Sequence, residues 1–164
     1  MFTRERFAQG LTLPQYLDQM TMNKERFVRA LDATVIKPQD VAVLTRHGAV
    51  RNILVITEDW CGTSLAYVPF IARLIDGRPG IELRFFLRDE NPDVMDQFLK
   101  RGVHRSIPVI AFFDEDMKEL ARFIEERPAR AILRTVLDVS LPTAPSGIPS
   151  PVAARPRARR DPSR

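Results

Sequence analysis

Apolar residues recur at helical spacing through residues 12–48, and from residue 52 they collect into short continuous runs. The first pattern belongs to helices with one buried stripe, the second to buried strands. In "TLPQYLDQM" Thr12 is placed to cap a short helix with Pro14 in its first turn, and in "MNKERFVRALDA" Asn23 stands as cap before Phe27, Val28 and Leu31 on one face. "KPQDVAVLTRHG" predicts a third helix, with Pro38 early and Gly48 closing it.

Beyond residue 50 the period changes. "NILVIT" is an apolar, β-branched run with a polar residue at each end, which predicts a buried strand. Trp60 to Asp76 reads as a loop and a helix ended by "DGRPG", and "IELRFFL" as a second strand. "NPDVMDQFLKRG" follows as a helix with Asn91 as cap, Pro92 at its first position and Gly102 past its end. "PVIAFF" is a third strand, "DEDM" a turn, "KELARFI" a fourth strand, and "RPARAILRTVLD" a closing helix begun by Pro128. The order β-α-β-α-β-β-α makes an α/β domain with two parallel strands and an antiparallel pair in one four-stranded mixed sheet, helices on its faces. The chain therefore divides into a helical N-terminal extension packing on the domain (1–49), the α/β domain (50–140) and a tail (141–164).

Charge changes the picture only at the tail. "LPTAPSGIPSPVAARPRARRDPSR" holds six of the 13 prolines, five arginines and one acid, so the whole net charge of +4 lies there. Residues 1–140 carry 20 basic and 20 acidic residues, which argues against a nucleic-acid surface on the folded part. The tail has no hydrophobic period and is expected to be disordered. No apolar run approaches the roughly 20 residues that cross a bilayer, so no membrane partner is expected. "MFTRERFAQG" never builds the apolar stretch of a secretory signal, and a lone cysteine suits a reducing compartment, so a cytoplasmic location is expected. One cysteine and two histidines, His47 and His104, form no metal-ligand cluster, and the glycines form no phosphate loop.

The chemistry concentrates in "VITEDWCGTSLAYVPF", residues 55–70, where Trp60-Cys61-Gly62 opens the first strand-to-helix junction and Ser64 stands where a second cysteine would complete a dithiol. With "SIP" before the third strand and Pro69 eight residues after Cys61, the chain resembles the thioredoxin-like superfamily over roughly residues 50–138. It is similar in particular to a bacterial branch with a helical N-terminal segment and a one-cysteine site, through "ITEDWCG", "LRDENP", "RSIPV", "FFDED" and "ERP" in order. Thr63 departs from that branch, which tends to an acid there. The resemblance implies a thioredoxin-like fold and a cis Pro108 that places the Ile107 backbone beside the Cys61 sulfur, where a partner chain adds as a strand. It also marks Val55 as standing where thioredoxins bury an acid.

A cysteine reacts as its thiolate. A helix N-terminus behind Cys61 favours that charge by about 0.3–1 kcal/mol, and a Ser64 hydroxyl one turn on is placed to donate to the sulfur. Glu58 and Asp59, expected to form a solvated face, oppose it. Two readings stand. In one, Cys61 and Ser64 are the catalytic pair of a monothiol thiol-disulfide oxidoreductase in cell redox homeostasis, with Trp60, Gly62, Thr63, Ile107 and Pro108 binding substrate. It would act on protein disulfides or mixed disulfides without a bound cofactor, released by an external low-molecular-weight thiol or another redoxin. In the other, the same groove beside Pro108 belongs to a redox-inert protein-binding module. His104 is expected as a solvated loop histidine.

Overall fold

Every residue of strand β1 (Asn52–Thr57) is buried, and the other described elements are arranged around it. In the computed structural model, which describes residues 2–47 and 49–125, β1 pairs parallel with β2 (Glu82–Leu87) and antiparallel with β3 (Val109–Phe113). Strand β4 (Glu119–Ile124) pairs antiparallel with β3, with a bulge at Phe112/Phe113, giving a four-stranded sheet of order β2-β1-β3-β4. This is the mixed sheet expected from the sequence. The expected closing helix from Pro128 and the tail lie outside the described residues.

Alternation along the strands builds two cores. Ile53, Val55, Phe85, Ile110 and Phe112 face one side, where they meet Val68, Ile71 and Leu74 of the helix Ser64–Ile75. Leu54, Ile56, Phe86, Val109 and Phe113 face the other, with Val94, Met95, Phe98 and Cys61. Each fully buried aliphatic or aromatic side chain of this size contributes about 1.5–3 kcal/mol.

The N-terminal segment covers both sides. Helix α1 (Arg4–Ala8) lies on the Phe86 side, while α2 (Leu13–Gln19) and α3 (Lys24–Ala33) lie on the Phe85 side, followed by α4 (Pro38–His47). Tyr16 stacks on Phe85 with centroids 4.8 Å apart, and Phe2 meets Phe7, Phe86, Phe98 and Phe113. Between α1 and α2 the chain crosses the free edge of β2, where Leu11 and Phe85 exchange two backbone hydrogen bonds of 2.8 Å. Helix α5 is Ser64–Ile75, with Pro69 inside it, and α6 is Pro92–Met95.

Three local expectations change. Helix α1 was not expected: it is one turn, capped by Thr3, and depends on Arg6, which pairs with Asp93 at 2.8 Å and donates to Asn91. The helix expected over 91–102 stops at Met95; Gln97 and Phe98 donate to the carbonyls three residues back, and a bridge between Lys100 and His104 encloses Arg101 and Gly102, both at positive φ. Asn23 does precede α3, but its amide donates to the Asp59 carbonyl at 2.9 Å instead of capping the helix. Thr12 caps α2 as expected, in a reciprocal pair with Gln15.

Gly10 is fixed by contact. A Cβ there would lie 2.5 Å from Phe86 Cε2 and 2.9 Å from Arg84 Cβ, inside any tolerated separation. Gly10→Ala should therefore destabilise the fold by about 1–3 kcal/mol as the crossing segment lifts off β2. Denaturant unfolding checks this, with an unchanged midpoint counting against the close approach.

Candidate functional site

Parallel pairing of β1 and β2 brings the residues just past their C-terminal ends side by side. The Arg88 amide donates to the Thr57 carbonyl at 3.1 Å, which fixes the start of one connecting loop against the other. After Thr57 the chain turns, with the Cys61 amide donating to the Glu58 carbonyl at 3.2 Å. Helix α5 begins only at Ser64, so Cys61 stands three residues ahead of it instead of on its first turn.

Cys61 is 8% exposed, and its thiol donates to the Ile107 carbonyl at 3.8 Å. The Ile107–Pro108 peptide is cis. Trp60, 43% exposed, stands beside the cysteine, and a Cβ at Gly62 would meet nothing within 4 Å, so the approach over the turn is open there. Cys61, Trp60, Gly62, Ile107 and Pro108 thus come together. Thr63, half-buried, leads into α5. His104 is exposed and bridged to Lys100.

Ser64 is arranged differently from the expectation that its hydroxyl serves the sulfur. It is 2% exposed, and Thr57 Oγ1 donates to its Oγ at 2.7 Å. That bond joins β1 to α5, and the buried Tyr16 hydroxyl of α2 lies close by, near enough to Thr57 to feel it. Burial pushes the Tyr16 phenol up to about 12, with the charges of Asp59, Glu58 and Cys61 adding and Thr57 opposing.

Glu58 and Asp59 are not the solvated face expected. Glu58 is 7% exposed and accepts from the Asp89 amide at 2.8 Å; burial holds its carboxyl above the usual range, with Asp89 and Asp59 adding and the amide and Arg88 opposing. Asp59 accepts from the Thr21 amide at 2.7 Å, the Met22 amide at 2.8 Å and the Thr21 hydroxyl at 3.1 Å. Burial raises its carboxyl, yet those donors and the Trp60 amide together hold it below the usual range. It ties the α2–α3 turn to the cysteine loop.

Arg88, within "LRDENP", also reaches the cysteine turn, which its place in the sequence did not indicate. Its guanidinium carbon lies 4.9 Å from the Trp60 ring centroid, and its Nε donates to Asp89 at 2.8 Å. Its charge opposes the upward shift of Glu58. No group of His, Cys, Asp and Glu among the described residues could hold a metal. No helix among them is long and apolar enough to cross a membrane.

The two acids carry opposite pH signatures. Asp59, depressed in the fold, adds stability above its ordinary 3.8 that disappears as pH falls through its folded value, so Asp59→Asn should cost stability at neutral pH and progressively less in acid. Glu58, raised in the fold, favours folding below its ordinary 4.5 and opposes it once pH passes its folded value. Glu58→Gln should therefore stabilise at neutral pH and lose that advantage near pH 4. Unfolding titrations of both variants between pH 3 and 8 measure these trends, and a neutral-pH loss in Glu58→Gln would contradict the burial argument.

A thioredoxin family model matches residues 10–136. Among solved structures, the chain is similar to a protein of unknown function from Pseudomonas aeruginosa, with TM-score 0.65 and 19% identity over 85% of this chain and 95% of that one. It is also similar to an HIV epitope-scaffold, with TM-score 0.66 and 16% identity over 84% of this chain and 95% of that one. Identities this low carry the fold alone. No curated protein sequence matches. With the family model spanning most of the chain and the mixed sheet in place, the chain belongs to the thioredoxin family.

Proposed function

We propose that the protein is a one-thiol thiol-disulfide oxidoreductase of the cytoplasm, acting on mixed disulfides between proteins and low-molecular-weight thiols. The observation that supports this is the Cys61 sulfur 3.8 Å from the Ile107 carbonyl, at the junction of the cysteine turn and the Pro108 loop. An extended partner laid along that loop presents its disulfide to the sulfur.

The exchange balances without a cofactor. Cys61, having lost its proton to solvent, attacks one sulfur of R–S–S–R′. A new Cys61–S–S–R bond forms as the old bond breaks, and the electron pair leaves on R′–S⁻, which takes up a proton. With Cys61 the single cysteine, release needs an external thiolate R″–S⁻, either a small thiol or another redoxin. It attacks Cys61–S–S–R at the R sulfur, forming R–S–S–R″ and restoring the Cys61 thiolate. When R is the small thiol, R′ is a protein freed in reduced form. Trp60, Gly62, Thr63, Ile107 and Pro108 form the docking surface, and Ser64 holds the start of α5 to β1 through Thr57.

The burial of Cys61 favours a second reading, a redox-inert module that uses the same groove to hold a protein partner. Alkylation separates the two. Under the oxidoreductase reading, Cys61 reacts with iodoacetamide at neutral pH, and diamide without small thiols gives a Cys61–Cys61 dimer on non-reducing gels, both lost in Cys61→Ser. A chain that stays monomeric and unmodified supports the binding module instead.

Ser64→Cys rebuilds a Cys-x-x-Cys pair in a buried position. The new thiol loses the 2.7 Å bond from Thr57, so the variant should be about 1 kcal/mol less stable. It should also gain slow turnover of a protein disulfide with an external dithiol reductant. Fast turnover would mean that the apolar surroundings of position 64 do not hold the second thiol back.

A further inference from the structure

Charged and titratable groups crowd the cysteine turn. Glu58 and Asp59 come from the end of β1, Asp89 from the loop after β2, and the buried Tyr16 hydroxyl from α2. Among the described residues, Arg105 and Arg88 are the cations that act on them. Arg105, on the loop before β3, is exposed and committed to Asp96 through two bonds of 2.7 Å. Arg88 is about three-quarters buried, is bonded to Asp89 and lies over the ring of Trp60, the residue before Cys61.

Arg88 is held from three directions. Its amide is fixed to the Thr57 carbonyl at 3.1 Å, so its Cα cannot move away from the strand end that carries Cys61. Asp89 accepts from its Nε at 2.8 Å and from its terminal nitrogen at 3.2 Å. Its planar group lies over the Trp60 ring, an arrangement that a guanidinium makes and a lysine ammonium reproduces poorly. A partly buried cation so constrained acts at reduced screening, and attraction between charges is mutual.

Taking the one-thiol reading above as its basis, we propose that Arg88 is a positioning residue of the exchange reaction: its guanidinium holds the Trp60 indole at the mouth of the site and supplies the positive field for negative charge on the Cys61 sulfur. The same field steadies the departing thiolate of R′–S⁻, which forms within reach of Cys61. Glu58 and Asp89 offset the cation from the buried and exposed sides, so the strength of the field depends on the balance among the three.

The test is the rate of iodoacetamide alkylation of Cys61 against pH, with Trp60 emission recorded on the same samples. The reagent is uncharged, so steering by the rim does not enter. Arg88→Gln should lower the rate at pH 7 by about three- to tenfold and move the profile to higher pH. Arg88→Lys should recover most of the profile but not the wild-type Trp60 emission. Asp89→Asn keeps the backbone amide that Glu58 uses and releases the guanidinium, so its profile should move to lower pH; it stands as the independent variant should Arg88→Gln fold poorly. A purely structural Arg88 would change melting and Trp60 emission and leave the profile in place. A reactive wild type whose profile is unmoved in these variants overturns the Arg88 proposal alone. A wild type that resists alkylation at every pH overturns the exchange reading, and Arg88's role falls with it.

Discussion

Strand β1 is hydrogen-bonded along both edges and packed on both faces, and this enclosure is the constraint on which the rest depends. A strand so placed cannot shift register without turning Ile53 and Val55 out of one core and Leu54 and Ile56 out of the other. Its C-terminal end is therefore a fixed point. Glu58, Trp60 and Cys61 inherit their positions from it through one turn, and Arg88 inherits its own from the parallel neighbour. The loops beyond the carboxyl ends of parallel strands are a usual place for chemistry because the sheet holds them while leaving them open.

That site is costly to maintain. A carboxylate buried beside other acids opposes folding at neutral pH, and Glu58 is such a group. Asp59 offsets part of the cost by gathering three donors from the α2–α3 turn, and the buried hydroxyls of Thr57 and Ser64 satisfy each other between β1 and α5. The helical extension thus completes the polar wall of the cysteine loop while covering the sheet. Unfavourable charges concentrated at one place and compensated nearby are characteristic of sites that act on something.

How much of this the sequence disclosed depends on how local the cause was. "NILVIT" read as a buried strand because its own composition demands it, and the strand is Asn52–Thr57. The cap at Thr12 was equally local. Helix α1 escaped because its order comes from Asp93 and Asn91, more than 80 residues away in sequence. The burial of Glu58 and the service of Asp59 to Thr21 and Met22 escaped because adjacent acids after a strand look solvated until the partner segments are placed. That Cys61, Trp60, Gly62, Ile107 and Pro108 come together was legible through motif spacing, whereas the approach of Arg88 to Trp60 showed only once β1 and β2 lay side by side.

The bridge between Leu11 and Phe85 also sets an order of events during synthesis. A ribosome adding about 5–20 residues per second needs roughly 4–15 s to pass from one partner to the other. Through that interval the segments destined to be α1, α2 and α3, of five, seven and ten residues, have no sheet to rest on. Helices that short do not persist alone in water. Phe7, Tyr16 and Phe27 must wait in an unfolded chain until the sheet they will cover has been made, so these segments, synthesised before the sheet, are among the last to take their final shape.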